Sequence, residues 1–207
     1  MKFKAVFLDK DGTIIPDVPY NVDVSKISLS ESVVEGLQLL QSGAYLLVVV
    51  SNQSGVAYGY FNTQEVENVR SALAEKCASL GIYLDGFYYC PHHPEGAAGP
   101  YKKECDCRKP QPGLLLKASS DMNIDLSSSW MIGDILNDVE AGNRAGCRTI
   151  LINNGNETEW QTGAMREPKY KAKDFADAAR YIISANKKRK DGKKMERHKK
   201  YLMHQAG

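Results

Sequence analysis

The sequence predicts an α/β fold: an open, mostly parallel sheet with helices on both faces. Three observations carry that reading. Short apolar runs alternate along the chain with segments of helical period. The runs are continuous and not every-other-residue, as strands buried on both faces must be. Several of them end abruptly on polar or acidic residues, at the strand termini where ligands collect in such sheets.

The elements follow in order. The first strand is predicted over Lys4 to Leu8 and runs into Asp9, Lys10, Asp11, Gly12 and Thr13. A helix over Ser32 to Gln41 places Val33, Leu37 and Leu40 on one face, with Gly43 as its stop. Tyr45 to Val50 is a β-branched run leading to Ser51-Asn52-Gln53-Ser54-Gly55. Asn62 with Glu65 three residues on has the form of a capping box. The helix it opens carries Val66, Val69, Leu73, Cys77 and Leu80 and stops at Gly81. Gly86 to Cys90 is a third strand. Pro91 to Pro112 is rich in Pro, Gly, Cys and His and is predicted to be a loop. Pro112 opens a helix through Met122. Strands at Trp130 to Gly133 and Thr149 to Ile152 enclose a helix from Asp138 to Ala145, and Asp174 to Ala185 is a closing helix.

Length and composition set the scale. The chain has 207 residues, 43% hydrophobic and 25% charged, which suits one domain over 1–186 followed by a tail at 187–207. No apolar run approaches the roughly 18 residues that span a bilayer. Lys2, Lys4, Asp9, Lys10 and Asp11 break up any leader-like segment, which with the odd cysteine count makes a cytoplasmic protein the expectation; a monomer is expected as well. Five cysteines, an odd number, argue against a disulfide framework. The net charge of +2 hides an asymmetry: residues 187–207 carry nine Lys/Arg against Asp191 and Glu196, or +7, so the rest sums to −5. The tail is expected to be disordered or helical and solvated.

Two carboxylates at the end of a buried strand are costly unless a cation or a reaction uses them. Asp9-x-Asp11-Gly12-Thr13, then Ser51 at a strand end, Lys109 ahead of a helix, and Gly133-Asp134-x-x-x-Asp138 occur in that order. This set resembles the four motifs of the haloacid dehalogenase-like phosphatases, over roughly residues 3 to 155. The resemblance implies a Rossmann-like domain of the haloacid dehalogenase type. It also implies a Mg²⁺-dependent phosphatase in which Asp9 is the nucleophile and Asp11 the general acid and base. The Asp9 carboxylate, the backbone carbonyl of Asp11 and the Asp134 carboxylate would hold the Mg²⁺. Ser51 and Lys109 would steady the phosphoryl oxygens, and Asp138 would orient Lys109 or a water.

The Pro-rich loop carries a second constellation, Cys90-Pro91-His92-His93-Pro94 and Cys105-Asp106-Cys107-Arg108-Lys109-Pro110. Thiolate and imidazole suit tetrahedral Zn²⁺, with Cys90, His92, Cys105 and Cys107 as a Cys₃His set and His93 as the alternative nitrogen ligand. Zinc would supply the folding energy that a loop over residues 90–107 lacks. The pattern is similar to the subfamily that dephosphorylates D,D-heptose 1,7-bisphosphate and histidinol phosphate, which implies His92 as ligand. Cys77 and Cys147 read as core residues.

The same resemblance implies a phosphorylated sugar as substrate and no large cap domain. Arg108, Asn52, Gln53 and Thr13 are the expected substrate contacts, Arg108 through its bidentate fork. Tyr58 and Ile135 stand where many members of the subfamily carry Arg and Lys. Histidinol phosphate is the alternative substrate, with Asp17 and Asp23 as receivers for its cationic groups. A second class of function, binding nucleic acid or processing its 3′ ends, would rest on Lys187 to Lys194. The tail has only Tyr201 as an interleaved aromatic, so it carries that reading weakly. An inactive scaffold would have no need of the Asp9, Asp11, Ser51, Lys109 and Asp134 set.

Overall fold

The structure is a computed structural model that describes residues 2–97 and 99–186. The basic tail at 187–207, and the nucleic-acid reading that rests on it, lie outside the described residues. Six strands form one sheet: β1 Ala5–Leu8, β2 Leu46–Asn52, β3 Gly86–Cys90, β4 Trp130–Gly133, β5 Arg148–Ile152 and β6 Tyr170–Ala172. Their order is β3-β2-β1-β4-β5-β6 and every pairing is parallel. The helices are α1 Glu31–Ser42, α2 Gly55–Tyr58, α3 Thr63–Ala78, α4 Gly113–Asp121 and α5 Leu136–Arg144, with α6 over residues 175–186.

The pleat explains why the strands are apolar throughout. Successive side chains point to opposite faces. Val6 and Leu8 of β1 join a core with Leu37 and Leu40 of α1, Leu73 and Cys77 of α3, and Ile182 of α6. Ala5 and Phe7 join a second core with Leu115 and Ala118 of α4 and Ala141 of α5. Each fully buried Leu or Phe contributes about 1.5–3 kcal/mol. The parallel sheet is thus covered on both faces, as the continuous apolar runs demanded.

The helix starts follow local chemistry. Ser30 caps α1 by accepting from Val33 N, and Asn62 with Glu65 forms the expected capping box at α3. Gly43 ends α1, but not through a left-handed turn: its φ is −74°, and Ala44 takes the positive φ of 56°. A Cβ at Gly43 would lie 2.5 Å from Ile183 Cδ1, so a larger residue there would push that side chain aside. β2 extends two residues beyond the expected Val50, which puts Ser51 and Asn52 on the strand itself. α5 begins two residues before the expected Asp138. β6 lies outside the strands that the apolar runs predict. It is a three-residue edge strand, Tyr-Lys-Ala, which has no apolar run because only one neighbour and one face cover it.

Among the described residues no cap domain interrupts the sheet. The β1–α1 connection holds only a 3-10 turn at Val24–Lys26. No helix among the described residues is long and apolar enough to cross a membrane.

Candidate active site

The C-terminal ends of β1, β2 and β4 are adjacent, so Asp9, Ser51 and Asp134 meet at one sheet edge. Asp9 extends the β1 ladder by one bond, its N–H donating to Ile132 O at 3.0 Å. The chain then turns tightly, with Gly12 N–H donating to Ile15 O at 2.9 Å. Gly12 has φ +78°, and a Cβ there would stand 2.0 Å from Asp134 Oδ2. Glycine is required by both the turn and the close approach of the carboxylate. Gly133 plays the same part for α5, since its Cβ would lie 2.2 Å from that of Asp138.

Lys109 is the centre of the charge arrangement. Its Nζ contacts Asp9 Oδ1, lies 2.6 Å from Asp138 Oδ1, and donates to Val50 O at 3.0 Å. The side chain is buried. Burial alone would depress its pKa, but the Asp138 and Asp9 carboxylates outweigh that and hold it above the usual lysine range. The backbone of Lys109 is clamped by Asn52: Nδ2 donates to Lys109 O and Lys109 N–H donates to Oδ1, each at 3.0 Å.

Asp11 is positioned by two groups. Lys10, fully buried, pairs with its Oδ1 at 2.7 Å, and Gln53 Nε2 donates to its Oδ2 at 3.2 Å. Burial raises the Asp11 pKa; Lys10 opposes this and the nearby Asp9 charge adds to it. A protonated Asp11 is therefore favoured relative to an exposed aspartate. Gln53 also donates to Ser51 Oγ at 2.8 Å, which leaves the serine its own proton to give to an anion.

The residues fit a divalent cation. Asp9, Asp134 and Asp138 are buried and offer carboxylate oxygens within 4.8 Å of one another. Fully ionised, the four aspartates 9, 11, 134 and 138 face two ammonium groups, Lys10 and Lys109, which leaves two negative charges uncompensated. Burial, and then the Asp9 charge, push the Asp134 pKa up to about 6. Asp138 is also raised, by burial first, with Lys109 opposing. A hard cation with oxygen ligands relieves all of this. Asp134 is held for the purpose by Thr13 Oγ1 at 3.1 Å and Asn156 Nδ2 at 2.7 Å.

The second constellation also assembles. Cys107 Sγ lies 3.1 Å from Cys90 Sγ and 3.3 Å from Cys105 Sγ, and Cys90 and Cys105 are 3.5 Å apart. His92 Nδ1 is 3.3 Å from Cys107 Sγ and 3.7 Å from Cys90 Sγ. A tetrahedron with metal–ligand bonds of about 2.0–2.3 Å has edges of about 3.3–3.8 Å, so four such donors suit Zn²⁺. Hydrogen bonds, from Cys90 first, hold the Cys107 pKa down to about 5. His93 is turned elsewhere: its Nδ1 is 3.0 Å from Tyr58 Oη and accepts from Glu95 N at 3.1 Å.

Several expected substrate contacts also hold partners within the protein. Asn52 spends its amide on Lys109, Gln53 on Asp11 and Ser51, and Thr13 its hydroxyl on Asp134. Arg108 differs: among the described residues its buried Nη1 has no hydrogen-bond partner. Asp17 lines a cavity of about 260 Å³ beside Asp11, Asn52 and Gln53. Asp23 instead caps the 3-10 turn, accepting from Ser25 N at 3.0 Å and Oγ at 2.7 Å. Three contributors were missed in the sequence. Lys10 sits between the two motif aspartates with no pattern of its own, and Asn156 and Glu157 lie in an unpatterned loop. Glu157 Oε2 accepts from Leu136 N at 2.5 Å and so caps α5. The only available signal was the Asn-Asn-Gly-Asn run following a strand.

Comparison with known proteins agrees with this geometry. A family model described as HAD-hyrolase-like matches residues 106–178. A D-glycero-beta-D-manno-heptose-1,7-bisphosphate 7-phosphatase from Pasteurella multocida (strain Pm70) is 44% identical over 153 residues, 73% of this chain and 83% of that protein. The protein of the same name from Escherichia coli (strain K12) is 40% identical over 152 residues, 73% of this chain and 80% of that protein. A solved D,D-heptose 1,7-bisphosphate phosphatase from B. bronchiseptica, complexed with magnesium and phosphate, aligns with a TM-score of 0.72 at 26% identity. That alignment covers 88% of this chain and 99% of that one.

Proposed function

Because the chain belongs to the HAD-like phosphatases, among relatives named as heptose-1,7-bisphosphate 7-phosphatases, we propose that it is a phosphoric monoester hydrolase of that kind. Its substrate is D-glycero-D-manno-heptose 1,7-bisphosphate, from which it removes the 7-phosphate. The observation that carries the reading is the meeting of Asp9, Asp11, Ser51, Lys109 and Asp134 at one sheet edge, in a chain so similar to those relatives.

A carboxylate oxygen of Asp9 attacks phosphorus, and the bond from phosphorus to the sugar oxygen breaks. Asp11, kept protonated by burial, gives its proton to the departing oxygen. In the second half Asp11 takes a proton from water, which attacks the aspartyl-phosphate and releases inorganic phosphate, restoring the Asp9 carboxylate. Lys109 fixes the orientation of Asp9 and places a positive charge beside the phosphoryl group, and Ser51 donates to one of its oxygens. Asp9, Asp134 and the Asp11 carbonyl would hold Mg²⁺, which when bound would supply charge neutralisation between the nucleophile and the anionic substrate. Arg108, with an unpartnered buried nitrogen, meets further anionic or hydroxyl groups of the substrate. Cys90, His92, Cys105 and Cys107 would hold Zn²⁺, which would fix the loop that presents Arg108 and Lys109.

The test is phosphate release with Mg²⁺ from both anomers of heptose 1,7-bisphosphate, from histidinol phosphate and from fructose 1,6-bisphosphate. The heptose compound is expected to give the highest kcat/KM. Preference for histidinol phosphate by tenfold or more would overturn the assignment of substrate.

A further inference from the structure

The loop that follows β5 reaches the divalent-cation site at three points. Asn154 Nδ2 donates to Gly12 O at 2.8 Å and so holds the turn after β1. Asn156 Nδ2 donates to Asp134 Oδ2 at 2.7 Å. Glu157 Oε2 accepts from Leu136 N at 2.5 Å, where α5 begins two residues beyond Asp134. The loop is also tied to itself. Asn156 N–H donates to Asn154 Oδ1 at 3.2 Å, and Gly155 between them takes φ +93°, which glycine adopts freely. Gly12 leaves room for the approach, since a Cβ there would stand 2.6 Å from Asn156 Nδ2.

The consequence falls on Asp134. Asn156 occupies its Oδ2, and its Oδ1 accepts from Thr13 Oγ1 at 3.1 Å. The carboxylate cannot swing about its Cβ–Cγ bond without losing both partners. A freely turning carboxylate can offer an ion one oxygen or two. Ca²⁺ accepts either mode in a loose shell of about six to eight oxygens, whereas Mg²⁺ demands a near-octahedral shell at about 2.0–2.1 Å. Fixing the orientation of a ligand therefore favours the ion with the stricter geometry. Partners behind a metal ligand typically change metal affinity by about 10–100-fold.

We propose that Asn156 is a specificity-determining residue for the cation. With Thr13 it pins both oxygens of Asp134, so that the carboxylate presents a single oxygen and the site prefers Mg²⁺ to Ca²⁺. Asn156 is a positioning residue, since it touches the ligand and not the ion. Asn154 and Glu157 hold the loop that carries it. The proposal rests on the reading of Asp134 as a ligand to the ion of the phosphatase reaction, and it deepens that reading.

The experiment measures ion affinity from the rise in melting temperature of the full chain with Mg²⁺ or Ca²⁺ concentration, with no substrate present. The wild-type chain is compared with Asn156→Ala and Asn156→Leu. Both remove the amide donor, and the second keeps most of the bulk. Asn156 is only half-buried, so both variants are expected to fold, as the melts themselves report. In both, the Mg²⁺ dissociation constant is expected to rise about tenfold or more and that of Ca²⁺ by less than about threefold. Equal losses for the two ions would make Asn156 a general support of the site and overturn the proposal, as would unchanged affinities. A loss in Asn156→Ala that Asn156→Leu does not share would assign the effect to bulk and overturn it too. In these cases Mg²⁺-dependent phosphate release by the wild-type chain still upholds the phosphatase reading. A wild-type chain whose melt neither ion moves, and which releases phosphate equally with and without Mg²⁺, overturns the metal site and this proposal with it.

Discussion

Asn52 and Lys109 are joined by a pair of 3.0 Å hydrogen bonds, side chain to backbone in both directions, across 57 residues of sequence. The end of β2 thereby sets where the buried ammonium of Lys109 stands between Asp9 and Asp138. Asn52→Ala removes both bonds, which are worth about 2 kcal/mol together. The expected result is a fall of about thirtyfold in kcat with little change in KM. Steady-state kinetics check it; a rise confined to KM would show that Asn52 serves binding and not placement of Lys109.

Asp9→Asn keeps the shape of the side chain and removes the nucleophile. Turnover should fall by about 10³-fold or more. Lys109 retains Asp138 and Val50 O as partners, so the fold is expected to survive, as read by circular dichroism. Release of phosphate at the wild-type rate would exclude the covalent step.

Asp134 ties the site to pH. Its folded pKa of about 6 exceeds that of an unfolded aspartate, so between about pH 4 and 6 the folded chain binds more protons than the unfolded one. Without Mg²⁺, this group makes the protein less stable as pH rises through that window, by about 3 kcal/mol in all. Mg²⁺ competes with the proton, so its stabilising effect should grow over the same range and level off above about pH 7. Thermal melts with and without Mg²⁺ at a series of pH values measure this, and a Mg²⁺ effect independent of pH would contradict it.

Elemental analysis should find one zinc ion per chain. Cys107→Ser is expected to lose it, lower the melting temperature by about 5 °C or more, and reduce activity, because Arg108 and Lys109 follow directly in sequence. Zinc-free wild-type protein with full activity and an unchanged melt would show that the thiols are structural without metal.

Gly12→Ala introduces a Cβ 2.0 Å from Asp134 Oδ2 at a φ of +78°. The carboxylate must move. The Mg²⁺ concentration for half-maximal activity should rise about tenfold or more, along with a loss of about 1–2 kcal/mol in stability. Titrating activity against Mg²⁺ tests the first effect and denaturant melts the second.

The sequence by itself determined the architecture, because its signals are local. Continuous β-branched runs such as Leu47 to Val50 permit only a strand buried on both faces, and Asn62 with Glu65 marks a helix start wherever it occurs. It also determined which chemistry was available. Asp9, Asp11 and Asp134 follow apolar runs, and Cys90, His92, Cys105 and Cys107 offer soft donors in a loop without a core. Tertiary structure alone decided what each polar side chain is used for. Asn52, Gln53 and Thr13 each hold a partner that spacing does not show: Lys109, Asp11 and Asp134. Nothing in the sequence pairs Lys10 with Asp11 as a buried partner or Asn156 with Asp134. The physical reason is that a polar side chain's partner depends on which segments the sheet order brings within about 3 Å, and residues as distant as Asn156 and Asp134 become neighbours only once the strands are paired.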